Sequence, residues 1–142
     1  MSPPLKLLFD ENFGKPLVTG LAAFLAFYDP PPEIAHLLER FTSGESDDVW
    51  IPRIAADGWI VISSDRAKQA GGPKLPNICA AHSVSHVLVS GKLHNKNQFE
   101  KIRAITVAWP DIVRIPNRPR GTRFNLRCDA AGNPFLEDKS LL

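Results

Sequence analysis

The chain has 142 residues, is 44% hydrophobic and 23% charged, and carries a net charge of +2 with a sequence pI near 8.7, ordinary values for one soluble globular domain with a real core. The longest apolar stretch, 17–27, is broken by Thr19 and Gly20 and is too short to span a bilayer, so no membrane role is expected. The two cysteines, Cys79 and Cys128, lack metal-type spacing, and no charged-then-apolar leader opens the chain, so reduced thiols and a cytoplasmic location are expected.

Residues 5–9 form a short apolar run that reads as a strand buried on both faces, and it ends in Asp10-Glu11-Asn12. A helix is expected over 15–27, with Leu17, Leu21, Phe24, Leu25 and Tyr28 on one face and Asp29-Pro30-Pro31-Pro32 as its stop. Residues 33–41 fit a helix by composition, but the chain should return here to a parallel sheet, which favours a strand. Ser46 is a good cap for a helix opened by Asp47 and Asp48 and closed by Asp57-Gly58. Trp59 to Ile62 is the clearest strand, and it runs into Ser63-Ser64-Asp65-Arg66.

A short helix is expected over 75–81 and a strand over 86–89. Residues 95–109 read as an amphipathic helix with Phe99, Ile102, Ile105 and Trp109 on one face, stopped by Pro110. Residues 111–115 read as a last parallel strand, 122–128 as an edge strand, and 129–142 as a tail following a domain at 1–128. Strands alternating with helices predict an α/β fold in three layers around a mostly parallel sheet.

Acids and bases are segregated along the chain. Residues 1–65 hold ten of the fifteen carboxylates, whereas 114–127 hold five arginines and no acid. In α/β sheets ligands bind outside the carboxyl ends of the strands, so Asp10 and Asp65, each following a strand, are placed to meet there with Asp47. Converging carboxylates repel unless they keep a proton or hold a cation. Hard oxygen ligands favour Mg²⁺ or Mn²⁺, and such a site suits phosphodiester hydrolysis. Glu11 and Asp48 are secondary ligand candidates, while Asn12 and Ser64 could orient the ligand carboxylates. Plainer readings exist: a turn residue for Asp10, an ion pair with Arg66 for Asp65, and a helix-start charge for Asp47.

KLLFDEN at 6–12 and SDDVWIPRIAADGWIVISSDR at 46–66, with the spacing between them, resemble PIN-like domains, in particular the small VapC-type toxins of bacterial toxin–antitoxin systems. The resemblance covers about 5–115. It implies a three-layer α/β/α PIN-like fold and a Mg²⁺- or Mn²⁺-dependent endoribonuclease whose metal and catalytic positions are Asp10, Asp47 and Asp65. It also implies a cognate antitoxin that blocks the acidic site, and leaves room for a homodimer. Many relatives carry a further acid just after the third aspartate; here Arg66-Ala67-Lys68 follows. Arg66, Arg114, Arg118, Arg120, Arg123 and Arg127 would then hold the RNA phosphates. A non-catalytic module gripping nucleic acid or protein through this arginine strip is the alternative, and a small-phosphate hydrolase is a third reading.

Overall fold

The computed structural model describes residues 5–41, 46–64, 75–89 and 91–139. Its strands are β1 (Lys6–Phe9), β2 (Glu33–His36), β3 (Ile60–Ser63), β4 (His86–Val89), β5 (Arg123–Cys128) and β6 (Pro134–Asp138). Its α-helices are α1 (Lys15–Phe24), α2 (Asp47–Ala55), α3 (Leu75–Ala81), α4 (Gln98–Val107) and α5 (Trp109–Ile112). The strands form one sheet in the order β2-β1-β3-β4-β5-β6. Among the described residues, the first five run parallel and the β5–β6 pair is antiparallel.

Successive side chains on a strand point to opposite faces. Leu7 and Phe9 accordingly pack with Leu17, Val18 and Leu21 of α1 and Ala104 and Ile105 of α4, while Leu8 packs with Trp50, Ile51 and Ile54 of α2 and Ile78 of α3. Ile60 and Ile62 join the first cluster and Val61 the second. The strands that read as continuous apolar runs are therefore the ones covered on both sides, and the fold is the expected α/β architecture in three layers. A fully buried leucine, isoleucine or phenylalanine among them contributes roughly 1.5–3 kcal/mol by leaving water.

Capping explains where several helices begin. Ser46 Oγ accepts the Asp48 N–H at 3.3 Å, and Asn97 Oδ1 accepts the Glu100 N–H at 3.0 Å. Gly58, with φ of +78°, turns the chain from α2 into β3, a backbone conformation that costs glycine little. Residues 33–36 form the strand that the parallel topology requires, and a 3₁₀ turn follows at Leu37–Glu39.

Three expectations change. Residues 111–115 are not a strand: Pro110 sits in the first turn of α5, where its missing N–H costs nothing, and Ala108, Trp109, Ile112 and Ile115 are buried at helical spacing. The parallel partner of β4 is β5 instead, so 123–128 is an interior strand and not an edge. The segment expected as a tail carries β6, paired with β5 from Phe124↔Asp138 to Cys128↔Pro134. Among the described residues, no helix is long and apolar enough to cross a membrane.

Candidate active site

The chain passes from β1 to β2 on one side and then crosses back over β1 to lay down β3 on the other. This reversal is a switch point, and the connections diverge to leave a crevice at the carboxyl ends of β1 and β3. Asp10 stands on that crevice. Its N–H bonds the Ile62 carbonyl at 3.1 Å, so the last rung of the β1–β3 ladder fixes its backbone. The residue is only 8% exposed.

The Asp10 carboxylate is held from both sides by Asn12. Oδ1 accepts the Asn12 N–H at 3.0 Å and Oδ2 accepts Asn12 Nδ2 at 3.3 Å. Asn12 therefore orients Asp10, and the N-cap of α1 falls to Gly14. The loop is also braced from β2. Leu38 N–H donates to His36 Nδ1 at 3.1 Å, which leaves the proton on Nε2 to donate to the Phe13 carbonyl at 2.8 Å. His36 is thus a buried loop brace.

Helix α2 joins β2 to β3, so its first residue, Asp47, starts at the same carboxyl edge as Asp10. Asp47 Oδ1 accepts the Trp50 indole N–H at 2.9 Å, and burial of Trp50 fixes that donor. Glu11 and Asp48 are both exposed. Ser64 is fully buried, and its hydroxyl pairs with His94 Nδ1 at 2.9 Å, which ties the 91–95 turn to the end of β3. Ser63 pairs with His86 Nε2 at 2.7 Å, and burial, with Arg123 adding to it, pushes the His86 pKa down to about 3. Burial, with Asp47 second, raises the Cys79 thiol to about 12, so it stays protonated and inert. Asp65 and Arg66 lie outside the described residues.

The arginine strip does not gather at this crevice. The 114–122 segment leads into the amino end of β5, the opposite edge of the sheet. There Arg118 and Arg120 line a cavity of about 330 Å³ with Lys6, Gly58, Trp59 and Ser85, all at the amino ends of strands. A four-residue strand is about 13 Å long, so these side chains start that far from Asp10. Arg118 pairs with Asp138 at 2.6 Å, and Arg120 donates to the Ala55 carbonyl. Arg123 opens β5 beside His86, and Arg127 pairs with Glu137 at 2.7 Å while lying over the Phe135 ring. Arg114 is exposed on the same amino-edge segment. Five arginines close in sequence are spread along the length of a strand.

One cation at the crevice escaped the sequence reading. Lys101, in the first turns of α4, is 6% exposed, and its ammonium lies 5.6 Å from the centre of the Phe13 ring. Burial lowers its pKa, and the Asp10 carboxylate opposes that shift, so the two charges feel each other. Its signal was the i, i+3, i+4, i+7 stripe of Lys101, Ala104, Ile105 and Ala108, the face α4 actually buries. Phe99, expected on the buried face, is 82% exposed.

Among the described residues no three His, Cys, Asp or Glu side chains cluster as a metal cage. The donor set nevertheless fits a hard divalent cation. Asp10 is a buried, oriented carboxylate at the crevice, each of its oxygens can accept more than the one bond Asn12 supplies, and Asp47 begins at the same edge.

Residues 5–71 match the family model described as a PIN like domain, a span that contains both segments of the sequence resemblance. PIN-like domains are commonly nucleases and generally use divalent metal ions. No curated protein and no solved structure matches the chain. Residues 5–71, just under half of the chain, are therefore similar to the PIN-like domain family.

Proposed function

We propose that the protein is a Mg²⁺- or Mn²⁺-dependent endoribonuclease and acts as the toxin of a toxin–antitoxin pair. The observation that carries this reading is Asp10: a buried carboxylate held by Asn12, on a loop that His36 braces through the Phe13 carbonyl, at the switch-point crevice of a PIN-like sheet. A bound metal would be held by Asp10 with Asp47 and Asp65, and would supply charge neutralisation at the phosphate and an acidified water. Asn12 holds both Asp10 oxygens in place, and the Trp50 indole restrains Asp47. Such bonds fix ligand orientation before any substrate arrives. The partners are RNA at the crevice and a cognate antitoxin that covers it.

The test is cleavage of total RNA by the purified protein, with Mn²⁺ or Mg²⁺ and then with excess EDTA. The expected result is endonucleolytic fragments that require the metal and disappear on chelation. Undiminished cleavage in EDTA would contradict the metal site. No cleavage of any RNA, with binding retained, would favour the non-catalytic binding module. Growth arrest on expression, relieved by a co-transcribed neighbour, is the expected result for the toxin assignment.

A further inference from the structure

Among the described residues, Lys101 is the least explained charged group. Its residue is 94% removed from solvent, yet its ammonium makes no hydrogen bond or ion pair with any described residue. Its stem is covered, and desolvation lowers the pKa of the ammonium against the pull of Asp10, so lysine is seldom kept in such a place by packing alone. Methionine would fill the same stripe of α4 without desolvating a charge. The ammonium lies over Phe13, three residues after Asp10, and Asp10 is the carboxylate whose charge acts on it. Next along the same edge is a cavity of about 630 Å³ lined by Lys92, Lys96 and Glu100, and Glu100 directly precedes Lys101 on α4.

We infer that Lys101 is a phosphate-binding residue, whose ammonium contacts a non-bridging oxygen of the RNA phosphate presented at Asp10. This rests on the nuclease reading and names the group that meets the substrate's charge where, of the five arginines at 114–127, only Arg127 lines the neighbouring cavity, and its guanidinium is paired with Glu137. RNA supplies the missing partner: the ammonium gains a charge-assisted hydrogen bond, and the anion gains a cation already fixed in a low-dielectric wall. Lys92 and Lys96 line the cavity beside it, so the neighbouring phosphates also meet positive charge.

The experiment measures binding of a short single-stranded oligoribonucleotide in EDTA, where no cleavage occurs, by the wild type, Lys101→Met and Lys101→Arg. The methionine variant should bind about tenfold more weakly, and the slope of log K against log salt should shrink by about 0.7, the share of one phosphate contact. Lys101→Arg should retain most of the binding. Lys101→Met should melt close to the wild-type temperature, because methionine fills the same stripe of α4 and a partly desolvated charge is gone. Unchanged affinity and salt slope in a folded Lys101→Met would overturn the inference and leave a lysine that only packs. Binding of inorganic phosphate that depends on Lys101, with none of the oligoribonucleotide, would overturn RNA as the ligand. If Lys101-dependent RNA binding is found but the wild type never cleaves with Mn²⁺, the nuclease reading fails and the lysine's role stands. If the wild type cleaves and Lys101→Met binds and cleaves equally well, the nuclease reading stands and the lysine's role falls.

Discussion

Asp10→Asn is expected to reduce metal-dependent RNA cleavage by roughly a hundredfold or more, since even residues that only orient a metal ligand commonly cost 10–100-fold. The substitution is nearly isosteric. Its remaining carbonyl oxygen can still accept the Asn12 N–H, and the backbone bond to Ile62 is untouched. The bond from Asn12 Nδ2 to Oδ2 would face an amide NH₂ and be lost. That loss should cost about 1 kcal/mol of stability. A melting temperature close to wild type together with lost cleavage is therefore the outcome that assigns chemistry to the carboxylate. Full cleavage by a folded Asp10→Asn protein would remove Asp10 from the mechanism.

Stability should fall in acid, and His86 should cause a large part of it. Its pKa is depressed from 6.5 to about 3 in the fold, because a buried imidazolium would lose its hydration and face Arg123. Between those two values the unfolded chain binds a proton that the folded chain refuses. The folded state therefore loses about 1.4 kcal/mol per pH unit as pH drops from 6.5 toward 3, and this contribution is absent above 6.5. Urea melts from pH 7 to pH 4 should show that slope. In His86→Gln, which keeps a polar group near Ser63 Oγ, the slope should flatten. An unchanged slope in that variant would show that His86 does not set the acid limit.

The parts of the fold legible in the sequence were those where one physical signal dominated. Ile60, Val61 and Ile62 are β-branched, apolar and buried, and they read as a strand without help. Asp10 was legible because an acid abruptly ends a buried run. Residues 111–115 were not, since Ile112, Val113 and Ile115 look like a strand until Pro110 is seen as the opening of a helix. β5 looked like an edge because its partner β6 sits in a segment of ordinary polarity, and strand pairing is not a local property.

The site was half legible for a related reason. Acids at strand ends announce themselves, and Asp10 and Asp47 reach one edge because βαβ connections bring strand ends and helix starts together. The arginines misled, because closeness in sequence became separation in space once a strand ran between them. Lys101 was hidden by its neighbours. Phe99 drew the apolar face of α4 away from the stripe it buries, and a lysine on that stripe stands out only when burial is known.

Titration of the protein with Mn²⁺ in the absence of RNA, followed by electron paramagnetic resonance, decides whether Asp10 is a metal-binding carboxylate. The wild type should bind Mn²⁺ saturably, and a folded Asp10→Asn protein should not. Equal Mn²⁺ binding by the two proteins would contradict that role for Asp10.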